Sequence, residues 1–484
     1  MKSRLKTRII RNISFSLAGS VVERGLNFLA FVFAARFMGT IGFGELGIIY
    51  STMAMISVFA GFGIVVTGTK YVAQFKIVNP EKTGRIIGLI GIVSISFSTI
   101  YCCVIINTAG TIATDYLHAF HLKDALLVSG ILLAFNIINE AQKGILTGLE
   151  EFKKIIILNF ISGISTLVLM TTGVYYGNLI GALYGASFAS FITLVFSLYF
   201  LTKACNKYLI PVSVMNSFKE LKIISNYSFP AFISGVSVAM GLWLMRTLIL
   251  GNPNGYYEIG LFTAASRFQV IVNLLGISAG NALLPILSTQ ELKKNKALID
   301  FNIIVSWGIG IFLTIPIICF PEIAVVIFGE NFDNSQFYKI VALLMVTAVI
   351  MLYKQGLGRI IAANGLMWWS ALSNILWVII LLMCTQLFIE QGAFGLSKAL
   401  FCSYLVNVFF VIPFLIKKKL VQKKLLFSIN IVKILGTVYG SWLLGSLNIP
   451  VSYRIIIFPL IFIILIYQFK IIVNESKAKN LFIL

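Results

Sequence analysis

Apolar residues run along this chain in long, nearly unbroken stretches, separated by short polar connections rich in lysine and arginine. A stretch of about 20 apolar residues is long enough to cross roughly 30 Å of hydrocarbon as an α-helix. The pattern predicts fourteen such spans, at roughly 12–36, 44–67, 86–109, 125–147, 155–177, 179–202, 227–250, 259–287, 302–320, 338–360, 366–389, 393–416, 428–447 and 452–473. Runs such as 86–106 and 455–467 lack the period-two alternation of a membrane barrel strand. The predicted fold class is therefore all-α integral membrane, with about fourteen transmembrane helices.

Composition agrees: 59% of the 484 residues are hydrophobic and 11% charged, too apolar for a soluble core. The net charge of +21 would suggest nucleic acid in a soluble chain, so its distribution decides its meaning. Lys2, Arg4, Lys6, Arg8 and Arg11 precede the first span, and Lys70, Lys76, Lys82 and Arg85 lie between the second and third. Later basic clusters, such as Lys293, Lys294 and Lys296 or Lys417, Lys418 and Lys419, skip one connection each time. The intervening connections hold carboxylates, among them Glu45, Asp115, Glu258, Glu322 and Glu390. This is the positive-inside pattern, with both termini cytoplasmic. The charge reports topology, and the partner it implies is a lipid bilayer, with no nucleic acid. The N-terminal basic-then-apolar pattern reads as a retained first helix and not a signal peptide, because the apolar part is long and contains Glu23 and Arg24.

The longest internal connection, 203–226, separates six spans from six, and short echoes recur across it. Asn12-Ile13-Ser14-Phe15 returns as Asn226-Tyr227-Ser228-Phe229, Gly44-Glu45-Leu46-Gly47 as Tyr257-Glu258-Ile259-Gly260, and Gly181-Ala182-Leu183-Tyr184-Gly185 as Gly392-Ala393-Phe394-Gly395. Three echoes in one order, offset by about 211–214 residues, predict two six-helix lobes related by an internal repeat. The expected organisation is a first lobe at 1–202, a cytoplasmic linker at 203–226, a second lobe at 227–416, and two extra C-terminal helices with a cytoplasmic tail at 417–484.

The stretch Asn226 to Gln290 resembles the start of the second lobe in the polysaccharide transporters of the multidrug/oligosaccharidyl-lipid/polysaccharide exporter superfamily. Arg36-Phe37-Met38-Gly39 with Gly42-Phe43-Gly44 resembles that family's first external turn, and Gly144-Ile145-Leu146-Thr147-Gly148-Leu149-Glu150-Glu151-Phe152 the end of its fourth helix. Within the superfamily the chain is most similar to O-antigen-type repeat-unit flippases. The resemblance implies two lobes forming a V around a central cationic cavity that opens alternately to cytoplasm and periplasm. It also implies an undecaprenyl-diphosphate-linked oligosaccharide as cargo, the bacterial inner membrane as location, and polysaccharide polymerase and chain-length machinery as partners.

Charges inside the spans are the pointers to a site, because each costs about 2.5–3.5 kcal/mol at the bilayer centre. Arg24 sits about twelve residues into the first span, beside Glu23. It reads either as a cavity cation whose guanidinium fork suits phosphate, or as half of a Glu23/Arg24 structural pair with another helix. Helix direction places Arg246 and Arg267 in the outer half, and Lys143, Lys354 and Arg359 toward the cytoplasmic half, a set spanning the bilayer. Lys143 and Arg359 are also near enough to the interface to snorkel. Asn136, Glu140 and Lys143 share one face of the fourth span, lining a cavity or simply pairing Glu140 with Lys143. Glu23 and Glu140 are the acids well inside the spans, hence the candidates for proton or sodium coupling.

Other patterns carry less. Gly42-Phe43-Gly44-Glu45-Leu46-Gly47 matches a nucleotide-binding glycine motif by letter, but a membrane span precedes it where a strand is required. Asp115, His118, His121 and Asp124 read as a solvated loop face before they read as a metal site. Gly181 and Gly185 support close helix packing. The sequence shows no nucleophile–base array or phosphate loop, and its external connections of roughly 15 residues are short for a catalytic domain; the expectation is a transporter, not an enzyme, with no cofactor and no metal. The rival readings are a drug/cation antiporter of the same superfamily, which should carry a carboxylate-dominated cavity, a peptidoglycan-precursor flippase, and a non-transporting scaffold.

Overall fold

A computed structural model describes residues 2–60, 64–213, 217–220, 229–288, 296–421, 429–447 and 449–476. Among these the regular elements are all helical. Lys2–Ala60 is one hydrogen-bonded stretch, divided by Gly39 into α1 (2–38) and α2 (40–60). The φ of 66° and ψ of −172° at Gly39 belong to a region that a side chain would obstruct. The chain thus turns between two spans on one residue. The nucleotide-like glycines lie within α2, with no strand beside them.

Then come α3 (Ile64–Phe75), α4 (Pro80–Thr111) and α5 (Lys123–Gly148). Phe152–Lys207 breaks at Gly177 and Asn178 into α6 (152–176) and α7 (179–207). The rest are α8 (Phe229–Leu248), α9 (Gly255–Ser288), α10 (Lys296–Cys319), the short α11 (Ile323–Phe328), α12 (Ser335–Ala363), α13 (Met367–Phe388), α14 (Gly392–Lys417), α15 (Ile429–Ser446) and α16 (Val451–Glu475). Nine stretches of the described residues are long and apolar enough to cross a membrane, and three of these, 19–59, 152–207 and 367–417, each join two predicted spans. With α9 and α15, the fourteen predicted spans all have a helical counterpart.

The helices outrun the predicted spans where their ends meet water. α4 starts at Pro80, six residues before the apolar run, because Asn79 caps it: its Oδ1 accepts from Lys82 N at 2.9 Å, and proline suits the first helical position. α7 continues to Lys207, past the predicted end at 202. α11 is too short to show in a hydropathy pattern.

The chain divides into two compact units, one of 1–243 with 250–256, the other of 244–249 with 257–484. In the first unit, α6 and α7 cross at glycines. A Cβ on Gly181 would stand 2.0 Å from the Gly173 carbonyl oxygen, and one on Gly185 2.1 Å from that of Leu169. At the basic end a core built on Val72, Ile86, Ile90, Ile145, Leu149 and Leu158 joins α3 to α6. The buried Lys76 closes it, donating to Glu150 at 2.8 Å and to the Gly148 carbonyl at 3.4 Å. Arg85 holds Glu220 of the connection after α7 at 3.2 Å.

In the second unit the last two helices pack directly on α10. Gly445 meets the Ile318 carbonyl so closely that a Cβ there would be 1.8 Å away, and Gly308 makes room for the Phe469 ring. Arg454 of α16 grips both carboxylate oxygens of Glu322 and donates to the carbonyls of Cys319 and Ile449. A fully engaged guanidinium is what lets an arginine stay buried here.

These contacts make glycine substitutions informative. Gly185→Ala should lower the thermal midpoint of the detergent-purified protein by several degrees, the effect of about 1–3 kcal/mol of overpacking. Gly91→Ala, which meets nothing within 4 Å, should leave the midpoint unchanged or slightly raised.

Candidate functional site

Helical spacing assembles the site in the first unit. On α5, Asn136, Glu140 and Lys143 follow one another at four and three residues, and on α1 Glu23, Asn27 and Phe31 recur every four. All six line one cavity of about 540 Å³, closed by α2, α6 and α7. Twelve of its twenty lining residues carry side-chain nitrogen or oxygen, set among apolar side chains such as Phe31, Leu132 and Ile137, so polar groups stand in a largely apolar wall.

Lys143 organises the charge. Its ammonium lies 2.9 Å from Glu23 Oε1 and 3.6 Å from Glu140 Oε1. The side chains of Lys143 and Glu23 are 15% and 18% exposed, whereas Glu140 is 61% exposed. The Glu23–Lys143 contact is therefore the shielded one, and Glu140 presents its carboxylate to the open space. Two carboxylates against one ammonium leave the trio with a formal charge of −1. Asn136 is oriented from α7: its Oδ1 accepts from Ser190 Oγ at 2.9 Å, and the neighbouring Asn139 donates to the Ser190 carbonyl at 2.9 Å. One turn deeper, Ser197 Oγ donates to Gln142.

Arg24, next to Glu23 in sequence, points elsewhere. It is exposed, outside the cavity lining, and has no ion pair with a described residue. The two neighbours thus divide the readings open in the sequence: Glu23 pairs with another helix, and Arg24 remains available.

The remaining cations belong to the second unit and are held by neutral groups. Arg359 is buried; its Nε donates to Asn302 Oδ1 at 2.7 Å, its Nη1 to the Gly276 carbonyl at 3.4 Å, and its Nη2 to Ser306 Oγ. Lys354 donates to Asn374 Oδ1 at 3.2 Å and stands 5.5 Å from the Trp377 ring and 5.3 Å from the Tyr404 ring. Arg246 lies over the Phe262 ring at 5.5 Å, with its Nε buried and unbonded. Arg267 is half-buried on α9. The structure shows no carboxylate against Arg246, Lys354 or Arg359 among the described residues.

Sequence reasoning missed the supporting groups: Asn302 and Ser306 under Arg359, Trp377 and Tyr404 around Lys354, and Ser190 behind Asn136. Asn302 and Ser306 had a signal, two polar residues one turn apart in an apolar run. Among the described residues no three His, Cys, Asp or Glu side chains gather to hold a metal. His121 instead meets Glu45, Nε2 to Oε1, at 2.7 Å.

A family model described as polysaccharide biosynthesis protein matches residues 9–291. A membrane protein of Methanocaldococcus jannaschii is 23% identical over 355 residues, 70% of this chain and 81% of that one. The lipid III flippase of Escherichia coli is 24% identical over 291 residues, 58% of this chain and 67% of that one. Among solved structures, a multidrug resistance MATE family transporter of the MOP superfamily, in its inward-facing conformation, aligns at TM-score 0.71 and 14% identity, over 82% of this chain and 95% of that one. The lipid II flippase MurJ, inward closed, aligns at TM-score 0.68 and 17% identity, over 95% and 98%. Both show the same fold.

The ion pair in the cavity has a measurable coupling. Glu23→Gln and Lys143→Met should each lower thermal stability, and the double variant should lose less than the two losses added, by about 1–3 kcal/mol. Additive losses would show that the two side chains do not interact.

Proposed function

The chain belongs to the polysaccharide biosynthesis protein family, and on that premise we propose that it is a flippase. Its cargo is a polyprenyl-diphosphate-linked oligosaccharide repeat unit, carried from the cytoplasmic to the periplasmic leaflet of the bacterial inner membrane for O-antigen or a related surface polysaccharide. The single observation that carries this reading is the state of the intramembrane cations. Among the described residues, Arg246, Lys354 and Arg359 stand without carboxylates, and Arg24 is exposed with no ion-pair partner. An arginine at bilayer depth is costly unless it meets water or an anion, and a guanidinium fork matches a phosphate oxygen pair. We assign Arg24 to the diphosphate.

A drug/cation antiporter should carry a carboxylate-dominated cavity; the first-unit cavity sets Glu23 and Glu140 against Lys143, and what favours the flippase is the second unit, where Arg246, Lys354 and Arg359 have no carboxylate against them among the described residues. A peptidoglycan-precursor flippase shares the diphosphate chemistry and differs only in the sugar. Both termini face the cytoplasm in this proposal, because the positive-inside rule places the basic connections there. Moving the diphosphate outward then runs down an inside-negative potential, which supplies about 2.3 kcal/mol per charge per 100 mV. Glu23 and Glu140 are the acids through which an entering proton or sodium ion would add to that force.

Complementation tests the assignment. A polysaccharide-export-defective strain should regain surface polymer with the wild-type chain and should show at least a tenfold loss with Arg24→Ala at matched membrane expression, the effect of losing about 1.4 kcal/mol of a charge-assisted contact. Full rescue by Arg24→Ala would remove Arg24 from the site.

A further inference from the structure

The cavity of the first unit has chemistry of its own, and it is not that of a phosphate site. The cation among its described lining residues, Lys143, is already held by two carboxylates, at 2.9 and 3.6 Å. An incoming diphosphate would have to break the shielded Glu23 contact or stand beside Glu140 without compensation, and like charges a few ångströms apart in a low-dielectric site repel strongly. What the cavity offers instead is a set of neutral hydrogen-bonding groups and one open carboxylate. Asn136 is fixed by Ser190 through its Oδ1, so its amide hydrogens remain to be donated. Glu140 presents acceptor oxygens, and Ser57, Ser162 and Thr166 add hydroxyls from α2 and α6. The Tyr50 ring, packed edge-on to Phe31 with centroids 5.0 Å apart, adds an apolar wall.

We infer that this cavity is a saccharide subsite: it receives sugar hydroxyls of the lipid-linked cargo and excludes the diphosphate. Hydroxyl groups both donate and accept, which suits a wall mixing amides, hydroxyls and a carboxylate, and the sugar's C–H face suits an aromatic ring. A volume of about 540 Å³ is within the range that encloses a small organic ligand. The inference rests on the flippase reading and divides the cargo's recognition: charge to Arg24, hydroxyls to the α1/α5/α7 chamber.

The test uses two defined lipids, undecaprenyl diphosphate and undecaprenyl-diphosphate-N-acetylglucosamine, and native mass spectrometry of the purified full chain in nanodiscs. Wild type should retain the sugar-bearing lipid about fivefold to tenfold better than the bare one, the effect of one or two net hydrogen bonds. Glu140→Gln, at an exposed position, should reduce that preference and leave the bare lipid's retention unchanged; if the chamber held the diphosphate, removing a negative charge would tighten the bare lipid. Asn136→Ala, checked by its thermal midpoint, should also reduce the preference, whereas Arg24→Ala should weaken both lipids by the same factor. Equal retention of the two lipids by wild type, or an undiminished preference in both chamber variants, overturns the subsite and leaves the flippase reading standing. Retention of neither lipid overturns both.

Discussion

A charge inside a bilayer has to be met by an opposite charge, by several dipoles or by water, and the polar architecture of this protein follows from that constraint. The first two solutions appear. Lys143 is met by Glu23 and Glu140, Arg359 by a cradle of amide, hydroxyl and carbonyl groups, Lys354 by an amide and two aromatic rings, and Arg454 by a two-pronged carboxylate contact. Neutralised Lys143 gives the first unit a chamber with excess negative charge. In the second unit Lys354 and Arg359 are met by neutral groups alone among the described residues.

The second constraint is steric. Spans join with almost no loop where the backbone can take a conformation closed to most residues, at Gly39 and at Gly177–Asn178. Helices approach backbone to backbone where a side chain is missing, at Gly181, Gly185 and Gly445. With lipid outside as apolar as the helix surfaces, such contact supplies packing that hydrophobicity does not. Through Gly445, Gly308 and Arg454 the last two helices become part of the second unit's packing.

The helices were legible because hydrocarbon thickness sets a minimum apolar length, and that length is written continuously in the sequence. Their true ends were less so, since Asn79 or Asn334 capping a helix in water leaves no mark on hydropathy. Gly42–Gly47 was correctly discounted because the required strand was missing. The stripe of Asn136, Glu140 and Lys143 was visible from helical periodicity alone, and so was the Glu140–Lys143 contact. The choice of Lys143 by Glu23, 120 residues distant, was not, because pairing across helices is decided by tertiary packing. The same holds for Arg359, whose partners lie on α9 and α10.

The central claim is that this chain moves a lipid-linked saccharide between leaflets. Its most direct measurement is reconstitution into liposomes with a fluorescent undecaprenyl-diphosphate saccharide, following the fraction accessible to an impermeant quencher over time. The account predicts protein-dependent exchange faster than in protein-free vesicles, accelerated by a potential that drives the anion outward. Exchange no faster than in protein-free vesicles, with the chain folded and inserted, would contradict it.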